Sequence, residues 1–203
     1  MKSALVILTL VMVYTGGYSQ GDTAEDICPI KIGQEIPEAE IWTLEGEPMP
    51  IRRLLDDEPT VMVIYRGGWC PYCNKQLSAL AKKEQELKDL GYRIVAVSPD
   101  NPEHLQETAG KEKLSYTLIS DSKMELIDAL GVSFKVDGRT ISRYKKWGID
   151  LVEASGENHG RLPVPTVLIL DDNAAVQFVY ANPNYRVRLD EDVLMAAARA
   201  ARK

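Results

Sequence analysis

Cys70 and Cys73, separated only by Pro71-Tyr72, are the residues of this chain whose type and spacing can do chemistry. At a helix start the first turn brings residues three apart onto one side. The two thiols can therefore join as a disulfide and part again as a dithiol. In such exchange the thiolate is both nucleophile and leaving group. Unpaired backbone N–H groups and the helix dipole at that end favour thiolate over thiol, and Arg66 and Lys75 add positive charge nearby. Trp69, beside the first thiol, is expected to be partly exposed and to line a substrate groove. A permanent structural disulfide or two inert thiols are the uneventful alternatives.

The elements that must position this pair are legible on both sides of it. Val61-Met62-Val63-Ile64-Tyr65 is apolar, uncharged and rich in β-branched residues, which predicts a buried strand of a parallel sheet. Gly67-Gly68 lets the chain turn sharply. Pro71 suits a first helical turn, and Leu77, Leu80, Ala81, Glu84 and Leu87 carry a helical period to about Leu90, with Gly91 ending it. Beyond it the pattern predicts a strand over 92–98 stopped by Pro99 and Asp100, a helix over 102–113, a strand over 116–119 and a helix over 123–130 ending at Gly131. Pro165 opens a strand to Leu170, Asp171-Asp172-Asn173 turns, 175–180 returns antiparallel, and 190–201 closes the chain as a helix with acidic residues at its start. Upstream, 37–43 and 49–51 flank the turn Glu45-Gly46-Glu47 as a hairpin, followed by a helical turn over 52–57. The fold class expected is α/β, a mixed central β-sheet flanked by helices on both faces. An N-terminal extension precedes it, and an insertion at about 134–161 carries its own short helix.

Met1 to Ser19 read as a signal peptide: Lys2 is basic, Ala4 to Val13 are nearly all apolar, and Gly17 and Ser19 are small. The expected organisation is 1–19 signal peptide, 20–31 flexible lead-in and 32–203 a single domain. Localisation is then periplasmic or secreted, with no membrane attachment after cleavage. A formal net charge of −6 without a basic block argues against a nucleic-acid binder. Three cysteines leave Cys28 without an obvious partner, and a buried thiol is expected there. His104 and His159 are expected to be solvated, and with Cys70 and Cys73 they lack the second close ligand pair of structural zinc sites, so no metal or cofactor is expected. Trp147 is expected to pack within the insertion.

With the strand, the Cys-x-x-Cys helix and Pro165 before a late strand, the chain resembles the thioredoxin superfamily. Ile32-Gly33-Gln34-Glu35-Ile36-Pro37, Val61 to Tyr65, Val95-Ala96-Val97-Ser98 and Val167-Leu168-Ile169-Leu170-Asp171 resemble its peroxiredoxin-like branch, the alkyl hydroperoxide reductase and thiol-specific antioxidant (AhpC/TSA) family, over Ile32 to Tyr180. The resemblance implies a thioredoxin-like fold and oxidoreductase chemistry, and it aligns Cys73 with the peroxidatic cysteine. Three positions depart from the family pattern: Arg66 stands for a proline, Cys70 for a threonine and Pro165 for a transition-state arginine, a role that Arg66 is a candidate to fill. Likeness to the dithiol proteins implies instead that Cys70 attacks and that Pro165, in Val164-Pro165-Thr166, is a cis-proline opposite the disulfide. Ile64 occupies the place of their proton-relaying carboxylate, so proton transfer falls to water or another group.

The leading expectation is an exported thiol-disulfide oxidoreductase in which an exposed Cys70 thiolate forms a mixed disulfide that Cys73 releases. The alternative is a thiol-dependent hydroperoxide reductase in which Cys73 becomes a sulfenic acid and Cys70 resolves it. A redox-inactive binding module is third. Partners implied are protein or small-molecule disulfides and thiols, hydroperoxides, and a thioredoxin-like reductant.

Overall fold

Pattern along the first half of the chain sets up the sheet. The computed structural model describes residues 21–55 and 57–202, so the segment read as a signal peptide lies outside the described residues. Strands β1 (Glu40–Trp42) and β2 (Pro48–Pro50) pair antiparallel and lead into α1 (Ile51–Leu55). Then come β3 (Thr60–Ile64), α2 (Pro71–Asp89), β4 (Arg93–Ser98), α3 (Pro102–Glu112), β5 (Thr117–Ser120) and α4 (Glu125–Ala129). The second half supplies β6 (Ser133–Lys135), α5 (Gly138–Lys146), α6 (Leu151–Ser155), β7 (Arg161–Pro163), β8 (Thr166–Leu170), β9 (Val176–Ala181) and α7 (Glu191–Ala201).

Seven strands form one mixed sheet in the order β2-β1-β5-β4-β3-β8-β9. β3 runs parallel to β4, with Val63 opposite Ala96, and antiparallel to β8, with Val63 opposite Val167. Because side chains alternate across a strand, these central strands feed two cores at once. Met62, Ile64, Val95, Val97, Leu168 and Leu170 face a core shared with Leu126 and Ile127 of α4. Val61, Val63, Ala96, Val167 and Ile169 face the other, closed by Leu77, Leu80 and Leu87 of α2, Leu105 of α3, and Leu194 and Met195 of α7. Each fully buried Leu or Val there contributes about 1.5–3 kcal/mol of apolar transfer energy. The mixed sheet with helices on both faces is therefore as the sequence pattern predicts.

Three expectations change in the structure. The lead-in is not loose from Gly21 onward: Cys28 N–H donates to Gly131 O at 3.1 Å, Ile30 N–H to Leu130 O at 2.9 Å, and the Ile30 side chain is buried. Its apolar residues are sparse, but backbone pairing fixes it. α4 begins two residues later than the periodicity suggests, because Met124 takes a left-handed conformation (φ 65°). The insertion holds two helices, α5 and α6, capped by Asp137 and Asp150 side chains, and its ends are tied by the β6–β7 ladder, with Phe134 opposite Leu162.

Candidate active site

The turn after β3 is built for close approach. Gly67 has φ 140°, and a Cβ on it would lie 2.3 Å from Trp69 Nε1; a Cβ on Gly68 would lie 1.8 Å from Thr108 Oγ1. Cys70 N–H closes the turn onto Gly67 O at 3.1 Å, and the Asn74 amide donates to Gly68 O at 2.8 Å. Cys70 is the N-cap of α2 with Pro71 directly after it. Its carbonyl accepts the Cys73 and Asn74 N–H groups at 3.0 and 3.1 Å, which winds the first turn and places Cys73 one turn inward. The sequence expectation that the motif starts a helix is met residue for residue.

Both cysteines carry free thiols, and both are shielded, Cys70 at 2% exposure and Cys73 at 0%. The expected exposed attacking thiolate at Cys70 is thus corrected: in the reduced pair neither sulfur faces open solvent. The Cys73 thiol donates to Cys70 Sγ, which is the largest influence pulling the Cys70 thiol down to about 6. Burial opposes that, while the Cys73 N–H and the charges of Arg66 and Arg188 support it. Cys73 moves the other way, raised above an ordinary thiol chiefly by burial and then by giving its proton to Cys70. The pair therefore holds one proton between two sulfurs near neutral pH.

Two guanidinium groups flank this pair. Arg66, from the end of β3, is 3% exposed. Its Cζ lies 5.1 Å from the Trp69 ring, 5.6 Å from Tyr144 and 4.2 Å from Tyr185, and its Nη2 donates to the Tyr144 hydroxyl. Among the described residues the caged cation is stabilised by three rings and has no carboxylate partner. Arg188, from the connection between β9 and α7, donates from Nε to Tyr185 O at 2.9 Å, from Nη1 to Gln76 Oε1 at 2.7 Å and from Nη2 to Cys73 Sγ at 3.3 Å. Beyond Arg188 a cavity of about 290 Å³ lies between α2 and α7, with Val63, Leu80, Val167 and Leu194 on its apolar wall and Lys75 beside them.

Of the residues singled out by sequence, Cys70, Cys73, Arg66 and Trp69 come together, and Trp69 is half-buried against Tyr144 at 5.8 Å between rings. Pro165 is buried before β8, but no cis peptide bond exists among the described residues, so the cis-proline expectation is corrected. Three further expectations change. Cys28 is exposed, because only its backbone is engaged. Trp147 is 64% exposed, stacking outward on Arg143 and Tyr144. His159 is partly buried, with Nδ1 accepting the Arg161 N–H at 3.0 Å, and burial lowers its pKa. Sequence reasoning missed Arg188, Tyr144, Tyr185 and the buried Asp100. For Asp100 a signal existed, a carboxylate at the carboxyl end of a parallel strand, where α/β proteins place their sites. Arg188 has none, since it reaches Cys73 only through tertiary folding.

Fold and site together define a peroxiredoxin-like protein of thioredoxin fold with a redox-competent cysteine pair. The AhpC/TSA family profile matches residues 32–179, and the chain belongs to that family. It is 29% identical over 138 residues to a chloroplastic peroxiredoxin Q of Sedum lineare, covering 68% of this chain and 62% of that protein. It is 27% identical over 129 residues to the thiol-disulfide oxidoreductase ResA of Halalkalibacterium halodurans, covering 63% of this chain and 72% of that one. Among solved structures, reduced Prx3 of Vibrio vulnificus in complex with hydrogen peroxide superposes with a TM-score of 0.69 at 17% identity, over 83% of this chain and 99% of the other. The chain spans between 48% and 62% of the length of three plant peroxiredoxins Q that it matches.

Proposed function

We propose that this protein is a thiol-dependent hydroperoxide reductase in which Cys73 meets the peroxide and Cys70 resolves the product. One observation carries the reading, the Arg188 guanidinium on Cys73 Sγ at 3.3 Å. It supplies, from an unforeseen place in the chain, the cation that the family pattern holds elsewhere. In the microstate where the shared proton rests on Cys70, the Cys73 thiolate attacks one peroxide oxygen. The O–O bond breaks, the leaving alkoxide takes the proton from Cys70, which is left as a thiolate, and Cys73 becomes a sulfenic acid. Fixed donors aimed at developing charge commonly contribute several kcal/mol in a water-poor site. Cys70 then displaces water to form the disulfide, and a thioredoxin-like dithiol restores both thiols.

A second reading, with Cys70 as the nucleophile toward disulfides, is favoured by the lowering of its thiol to about 6. Sulfenate trapping after a peroxide pulse separates the two. Cys70→Ser is expected to accumulate sulfenate at Cys73, and Cys73→Ser to consume almost no peroxide. Rapid peroxide consumption by Cys73→Ser with none by Cys70→Ser would reverse the roles. Export is the companion proposal, supported by Lys2 and the apolar run Ala4 to Val13; fractionation of cells expressing the full chain tests it.

A further inference from the structure

Asp100 ends the connection from β4 and is 1% exposed. Its Oδ2 accepts the Gly68 N–H at 2.7 Å, and its backbone N–H donates to Ser98 Oγ at 3.2 Å. Among the described residues Oδ1 has no partner at hydrogen-bond geometry, although the Ser98 hydroxyl acts on the carboxyl, and it lies against the redox turn, 2.6 Å from where a Gly67 Cβ would be. A buried carboxyl oxygen left unpaired is costly unless it carries a proton or exchanges one. Asp100 also lines a cavity of about 210 Å³ with Trp69, Asn74, His104, Glu107 and Lys111. Thus one side of Asp100 faces the cysteine turn, and the other faces a space lined by titratable groups of α3.

We propose that Asp100 is the acid that holds the proton exchanged by the Cys70–Cys73 pair, and that the cavity beside His104, lined by titratable groups of α3, is the route by which this proton reaches solvent. The inference rests on the dithiol–disulfide cycle proposed above, though not on which sulfur meets peroxide. In the resolving step the Cys70 thiolate attacks Cys73 sulfur, the S–S bond forms and the S–O bond breaks. The departing hydroxide takes the Asp100 proton and leaves as water, so one negative charge passes from Cys70 to Asp100. In the return step a partner dithiol is oxidised to its disulfide; one of its two protons ends on Cys73 and the other on Asp100. Tyr65 on β3's end, Ser98 on β4, Cys70 at α2 and His104 on α3 are the groups that act on this carboxyl from the surrounding elements. Burial raises Asp100 to about 7, and the Cys70 charge adds to the rise. Oxidation removes that charge, which favours loss of the proton at the step where water needs it.

Redox-difference infrared spectroscopy of the whole protein at pH 7 tests this, with thiols counted on the same samples. The expected result is a protonated-carboxyl band that disappears when the disulfide forms. The band should be absent from Asp100→Asn, which keeps an acceptor for Gly68, shifted in Asp100→Glu, and unchanged in Asp121→Asn. A disulfide that forms in wild type with no carboxyl change overturns the proposal, as does a band that survives Asp100→Asn. Failure of the two thiols to disappear on oxidation overturns the cycle itself, a distinct outcome.

Discussion

Arg188 and Cys73 are 115 residues apart in the chain, yet the guanidinium Nη2 donates to the sulfur at 3.3 Å. Two further hydrogen bonds, to Gln76 and to the Tyr185 carbonyl, fix the fork so that the remaining donor has one place to point. Replacing Arg188 by Leu is expected to slow peroxide-dependent sulfenate formation at Cys73 by about 10²-fold, the usual cost of one preorganised donor. Arg188→Lys keeps the charge without the fork and should fall between the two. Stopped-flow rates on the Cys70→Ser background measure this directly, and equal rates for all three proteins would remove Arg188 from the chemistry.

The lowered Cys70 thiol makes a separate forecast. Its largest cause is the hydrogen bond from Cys73, with Arg66 acting through charge alone. The rate of alkylation of Cys70 against pH should therefore inflect near 6, far below a free thiol. Cys73→Ala is expected to move that inflection upward by roughly a unit or more, and Arg66→Gln by less. A larger shift from Arg66→Gln would invert the order of causes.

These contacts mark where the sequence is readable and where it is not. The helix start at Cys70 follows from local chemistry, because Gly67 and Gly68 permit a tight turn and Pro71 fixes the backbone of the first helical residue. β3, β4 and β8 follow likewise from uninterrupted apolar runs, as strands buried on both faces must. Arg188 and Tyr185 belong to an irregular connection whose path is set by packing against α2, and no period or motif encodes that. The aromatic cage around Arg66 needs Tyr144 from the insertion, so the insertion's contribution was hidden until its two helices were placed. Shielding of Cys73 was missed for the same reason: Arg188, which meets its sulfur, comes from a distant segment.

Steric fit at the turn gives a third forecast. Gly68 faces Thr108, whose hydroxyl is committed to His104 O at 2.9 Å on α3, so a methyl group at 1.8 Å from Thr108 Oγ1 has no free space. Gly68→Ala is expected to cost about 1–3 kcal/mol in urea unfolding. It should also slow alkylation of Cys70, because the Gly68 N–H that holds Asp100 must move with it. Wild-type stability in Gly68→Ala would mean that α3 yields freely.

Two buried carboxyls make stability fall as pH rises. Asp121 accepts the Leu126 and Ile127 N–H groups at 3.2 and 2.7 Å at the start of α4, yet burial outweighs those bonds and raises it to about 8, as it raises Asp100 to about 7. In the unfolded chain both ionise near 3.8. Over the intervening range the native state binds more protons than the unfolded one, so their contribution is complete below that value and is lost as pH rises. Each carboxyl gives a slope of about 1.4 kcal/mol per pH unit. Asp100 drops out near pH 7, which leaves Asp121 alone up to pH 8. His159, lowered by burial, and Cys70, whose thiol is held near 6, act in the opposite direction around their own transitions, so the decisive quantity is a difference. Unfolding free energy of Asp121→Asn minus that of wild type, from urea titrations between pH 4 and pH 8, should climb steadily across the range, because the amide keeps one acceptor and cannot ionise. A flat difference would place the Asp121 proton elsewhere and leave α4 started by an ordinary charged cap.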